Sequence, residues 1–133
     1  ADDSFDAEKV QRIALAIRNA YLRVIRRDAT RAAATLQGAA ARMARIVKRH
    51  VDRGDTAAAD ASVNAARRVL QRTSTARFQR ISQLCENFAD RVQGRAGASA
   101  LIADVTSAAN LAMAEIQLAE SQAVLRVQAA REP

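Results

Sequence analysis

Proline occurs once, as the last residue, and glycine only four times, so this 133-residue chain has little of the punctuation that a sheet-and-turn fold requires. Tryptophan is absent, and Phe5, Tyr21, Phe78 and Phe88 are the only aromatic residues. Without bulky rings the chain buries area through long, shallow seams and cannot fill a thick globular core. A single cysteine, Cys85, excludes an internal disulfide framework and fits a reducing compartment. No run of about 18 apolar residues exists, and an acidic start replaces the basic-then-apolar order of a secretory signal. The expectation is a soluble chain, cytoplasmic or nuclear, whose membrane contact, if any, is peripheral.

Equally absent is the equipment for catalysis. His50 is the one histidine, lying between Arg49 and Val51 with no second histidine or cysteine at ligand spacing, so no metal site is expected. Neither phosphate-loop pattern is present; Gly94-Arg95-Ala96-Gly97 is too short and has no lysine. No catalytic residues and no cofactor are expected, and the chain reads as a non-enzyme. Cys85, at helical spacing between Ile81 and Phe88, reads as a small core residue.

What remains is helix. Half of the residues are apolar, many of them alanine, and the predicted class is all-α: a long antiparallel helical hairpin with an additional C-terminal helical segment, elongated, in one domain spanning 1–133. Asp3 or Ser4 can cap a first helix over 5–53, about 70 Å long. Its apolar positions fall into two seams, Val10, Ile13, Ile17, Tyr21 and Val24, then Leu36, Ala40, Met43, Val47 and Val51. At 100° per residue these lie about 100° apart around the axis, with the change inside the alanine-rich stretch 29–34.

Gly54 and Asp55 form the clearest stop and restart, glycine suiting the left-handed position after a helix and aspartate capping the next. A turn this tight forces an antiparallel return. The second helix, 55–92, reads Val63, Ala66, Leu70, Thr73, Phe78, Ile81, Cys85, Phe88 and Val92 on one face. Gly94 and Gly97 mark 93–99 as a hinge. A third helical region follows over 100–131, capped by Ser99, with Ile102, Val105, Ala109, Ala112 and Ile116 on one face and continuing through Leu118, Val124 and Val127. It can pack on the hairpin or swing away.

The formal charge of +7 is unevenly placed. Residues 1–8 carry four acids and no base, 9–95 carry nineteen bases against six acids, and 96–133 carry two bases against four acids. Nearly all the bases are arginine, whose planar fork suits phosphate. On the first helix Arg12, Arg23, Arg27, Arg45, Lys48, Arg49 and Arg53 share a sector of roughly 140°. Such a stripe is either a solvated outer face or a surface for a polyanion: an acidic membrane, nucleic acid or an acidic protein segment. Nucleic acid is the weaker expectation, because aromatics that would stack on bases are sparse among the arginines. A coiled-coil scaffold or adaptor would use the charge for solubility alone.

The residues around the turn resemble a known family. Val47-Lys48-Arg49-His50-Val51-Asp52-Arg53-Gly54, followed by Ala58 and then Arg67-Arg68 and Arg72, is similar to the hairpin of the ESCRT-III (charged multivesicular body protein) family, written I-K-K-x-x-K-x-G, an alanine, then V-R-x-R. Leu15 stands where that family's first helix begins its L-R-x-x-x-R run, and Ser99 to Thr106 where helix resumes after a small polar linker. Asp52, Val63-Asn64 and the offset Arg67-Arg68 depart from the pattern. The resemblance spans about residues 10–115 and implies a helical core fragment that polymerises with itself or with related subunits into filaments on acidic membranes. In this reading the seven bases meet lipid, and the protein serves endosomal multivesicular body formation or membrane scission from the cytoplasm. An AAA ATPase would be recruited through a C-terminal region not in this chain.

Overall fold

The computed structural model describes residues 3–132, with side chains from Asp6 onward, so side-chain capping by Asp3 or Ser4 and any role of the Phe5 ring lie outside what is described. Among those residues the fold is all-α, with α1 (Asp3–Asp52), α2 (Thr56–Val92) and α3 (Ala98–Arg131) and no strand. Tyr21 meets Phe88, Asp28 meets Arg80, and Met43 shares a groove with Ala66, so α2 descends as α1 climbs. Arg18 pairs with Asp104 and Asp60 with Arg131, which sets α3 parallel to α1 and antiparallel to α2. All three helices touch one another. The third region is therefore not swung out; it closes a three-helix bundle.

The turns follow from backbone chemistry. The Asp55 N–H donates to the His50 carbonyl and the Gly54 N–H to that of Val51, at 2.9 and 3.0 Å. That pair of bonds satisfies two of the carbonyls a helix end leaves orphaned, and it needs the left-handed φ of +73° that Gly54 supplies. Asp55 then accepts from the Ala58 N–H at 3.0 Å, capping α2 as expected. At the second linker Ser99 is not the cap. Gly97 holds that position with φ +75° and no side-chain bond, and Ser99 lies within α3, so the expected hinge shortens to 93–97.

The core is one seam per helix, and the two-seam reading of α1 is corrected. Val10 and Ile13 are 48% and 46% exposed, and Val24 is only half-buried. The buried line runs instead through Ala14, Ile25, Leu36 and Val47, each eleven residues after the last. Ala59, Leu70, Ile81 and Val92 repeat that interval on α2, and Val105, Ile116 and Val127 on α3. Eleven residues in three turns give 3.67 per turn, close to the free helix, so the seam rotates only about 20° per repeat and favours a slight right-handed wrap. No jump is needed in the alanine stretch. On α3 the buried face includes Leu101, while Ile102 and Val124 are half-buried and Leu118 is 58% exposed.

Ten of the twenty-one buried apolar residues are alanine, and such small side chains let helix axes approach toward the lower end of the ~8–10 Å range. Larger residues fill the space between, Phe88 foremost. Its ring lies 5.2 Å from that of Tyr21 at 57°, with the Arg91 guanidinium 5.9 Å above Tyr21.

Three ion pairs each join a different pair of helices. The inner one is Asp28, 7% exposed within the α1 seam, accepting from Arg80 Nε at 2.6 Å. Sliding α2 by one turn would strand this carboxylate, so the pair acts on register more than on stability. Removing its two members should have unequal effects. Arg80→Ala leaves a buried carboxylate unpaired and should cost about 2 kcal/mol, a figure reduced from that of a fully buried pair because Arg80 is half in solvent. Asp28→Asn, still able to accept from Arg80, should cost less than ~1 kcal/mol. Urea midpoints of the two variants check this, and equal losses would contradict it.

Gly94 (φ +81°) and Gly97 have open space or ordinary contact where a Cβ would stand, so alanine there meets a backbone penalty alone. Gly94→Ala with Gly97→Ala should cost the bundle about 1–2 kcal/mol per site. Straightening 93–97 into helix would recover about 1 kcal/mol per site. Opening, however, exposes Leu101, Val105, Ile116 and Val127, a loss of roughly 6–12 kcal/mol. The double variant should therefore melt earlier, while the distance between spin labels on α1 and α3 in native buffer stays as in wild type.

Candidate polyanion-binding face

The residues expected to form the stripe are all on the surface. Arg12, Arg23, Arg27, Arg45, Lys48 and Arg49 are exposed on α1, and Arg53 is exposed in the turn just beyond it. Their sector is centred nearly opposite the buried line through Ala14, Ile25, Leu36 and Val47. This follows from the eleven-residue repeat: a seam that drifts slowly keeps one back to the helix along its whole length. From Arg12 to Arg53 the stripe covers about 60 Å.

Three further bases belong to the stripe. Lys9, Arg31 and Arg42 are exposed and fall within the same sector, the last two bridging the gap between Arg27 and Arg45. Simple helical arithmetic places them there; the supposed change of seam at 29–34 obscured the last two. Arg42 lies along the bare backbone of Gly38, its Nη1 3.6 Å from where a Cβ would be.

The bases divide by role. Arg18, Arg80 and Arg131 are committed to interhelical carboxylates, and Arg91 to the Tyr21 ring. Among the described residues none of the seven stripe bases forms an ion pair. No family model, curated protein or solved structure matches the chain.

At the N-terminal end, Ile13, excluded from the core, lines a shallow surface hollow with Lys9, Arg12 and Ala16, whereas Val10, also excluded, faces a different hollow beside Asp6, Gln11 and Arg95. An apolar side chain, that of Ile13, thus accompanies the first bases of the stripe. No helix is long and apolar enough to cross a membrane among the described residues. Nor do three or more His, Cys, Asp or Glu gather there in a metal-holding group. His50 is half-buried and contributes its backbone carbonyl to the turn. Cys85 sits half-buried with Sγ 3.9 Å from the Val105 carbonyl; desolvation, then the neighbouring Glu86 charge, raises its thiol pKa. That environment disfavours the thiolate a nucleophile needs. Gly54 and Asp55 form the turn as expected, and Gly94 and Gly97 the second linker.

Proposed function

We propose that this chain is a non-enzymatic, membrane-remodelling filament subunit of the ESCRT-III kind, acting from the cytoplasm at the surface of acidic membranes such as the endosome. The observation that carries the reading is the stripe of unpaired bases along the back of α1. A straight row of arginines some 60 Å long meets a surface with distributed phosphates better than it meets a compact ligand. In this reading α1 and α2 are the elongated hairpin, Arg12 to Arg53 hold lipid phosphate, and the 93–97 linker is where α2 and α3 straighten on assembly. The energy needed to release α3 comes from lipid and neighbouring subunits, since glycine chemistry alone is too weak.

Nucleic acid is the second reading, because duplex phosphates would attract the same arginines. Ile13 favours lipid: an apolar side chain beside bases can sink below a headgroup layer, whereas a phosphate backbone offers it nothing. Cosedimentation with acidic and neutral vesicles, set against binding to a random-sequence duplex across one salt series, tests the choice. The expected result is retention on acidic vesicles at salt concentrations that release the duplex. Retention on the duplex alone would replace the membrane reading.

A further inference from the structure

Two apolar surfaces lie on opposite sides of the bundle, the second of them bordering the phosphate-facing stripe at Arg42 and Arg49. On α3, Leu111, Leu118 and Leu125 are 63%, 58% and 63% exposed at seven-residue intervals, on a face turned away from its buried residues. No Lys or Arg occurs in α3 before Arg126, and Glu115 stands between the first two leucines, four residues after one and three before the other. In a chain this basic, α3's own contribution to that face is acidic and apolar, with Arg26 of α1 bordering it beside Leu111 and Glu115. Across the bundle, Met43 and Ile46 of α1 and Ala65, Ala66 and Val69 of α2 line an outward groove of about 180 Å³. Ile46 and Val69 are 46% and 40% exposed within it. Arg42 and Arg49, one helical turn either side of Ile46, and Arg68 and Arg72, one turn beyond Ala65 and Val69, are exposed along its rims. The groove is smaller than the ~300–1,000 Å³ of small-molecule sites and suits single side chains.

The geometry points to a second copy of this chain as the occupant: the leucine face of α3 from one molecule docks in the α1–α2 groove of the next. From Ser62 to Val69, the α2 stretch of the groove spans seven residues, about 10 Å, which is also the spacing of successive leucines on α3. Arginine rims meet Glu115 as the apolar surfaces close. Pairing two leucine faces with each other would leave both grooves open and their arginines uncompensated. Because the groove between two helices of a bundle faces away from the third, donor and acceptor point in opposite directions. Such a head-to-tail contact does not close at a dimer, and with donor and acceptor opposed its repetition builds a filament. Each contact is small and weak, and gains strength by repetition on a surface. The contact deepens the assembly half of the proposed function and rests on it, while requiring no lipid and no opening of α3.

Sedimentation velocity of the purified chain without lipid, over a concentration series, tests the contact. Wild type should grow continuously with concentration and not plateau at dimer. Leu118→Asp and Val69→Asp should each remain monomeric with unchanged helicity, since both positions are exposed. Mixed in equal amounts, the two should form a one-to-one heterodimer and nothing larger, because one keeps only a groove and the other only a leucine face. Leu118→Gln with Ile46→Gln provides a second pair should an aspartate disturb folding. A monomeric wild type, a Val69→Asp variant that still associates, or an inert mixture would each overturn the contact. Wild type that binds acidic vesicles yet stays monomeric on and off them sinks the contact alone. Wild type that assembles but ignores vesicles sinks the membrane reading alone.

Discussion

Leu70→Asp should cost 5 kcal/mol or more and leave the chain largely unfolded at room temperature. Leu70 is fully buried, one of the eleven-residue positions of α2, directly in the seam shared by three helices. Losing its apolar burial and leaving a cavity costs ~2–5 kcal/mol, which Leu70→Ala would show by itself. Aspartate adds the desolvation of a carboxylate with no partner at that depth. A chain of this size has about 5–15 kcal/mol of stability in all. The carboxyl would respond by raising its pKa above the unfolded value. Protonation then relieves the burden as pH falls through the folded pKa, so the deficit relative to wild type should narrow in acid. Val69→Asp, one residue away but 40% exposed, should melt close to wild type. Thermal and urea melts of the three variants check the register directly; equal stability of Leu70→Asp and Val69→Asp would mean that the α2 seam is drawn wrongly.

That register was easy to read on α2 and hard on α1, for a physical reason. On α2 the buried positions carry large residues, Leu70, Ile81, Phe88 and Val92, and their spacing is visible at once. Before Leu36 the buried line of α1 is mostly Ala14, Ala29 and Ala32 around a lone Ile25, with Asp28 among them. Alanine contributes little to a hydrophobic pattern yet is what close helix packing requires, whereas Val10, Ile13 and Val24 form a conspicuous pattern that the bundle leaves at or near the surface. A buried aspartate also reads as surface until its partner is known, and Arg80 lies 52 positions away in sequence. The turns were legible because Gly54, Asp55, Gly94 and Gly97 act through local backbone geometry, which needs no tertiary partner. Closure of α3 was not legible, since a face such as Val105, Ile116 and Val127 is compatible with packing on its own hairpin or on another molecule's.

Most of the stripe was legible because local helical arithmetic places exposed charge whatever the seam. Only Arg31 and Arg42 were hidden by the misread seam at 29–34. The stripe yields the largest expected effect on binding. Arg23→Glu, Arg27→Glu, Arg45→Glu and Arg49→Glu together should weaken association with acidic vesicles by at least about a thousandfold. Each base close to an anionic surface is worth ~1 kcal/mol, and ~1.4 kcal/mol is tenfold in affinity. Four losses alone approach three orders of magnitude, and four introduced carboxylates add repulsion. All four positions are exposed and, among the described residues, form no ion pair, so circular dichroism should remain that of wild type. Net charge is the competing explanation, because the swap takes the chain from +7 to −1. Reversing Arg67, Arg77, Arg95 and Arg126 instead changes the net charge equally but leaves the back of α1 intact. If geometry governs, that second variant keeps most of its vesicle binding, because a surface reads the row of bases presented to it and not the charge of the whole molecule. Equal losses in the two variants, measured at one ionic strength, would reduce the stripe to a share of the overall charge and remove α1 as the membrane face.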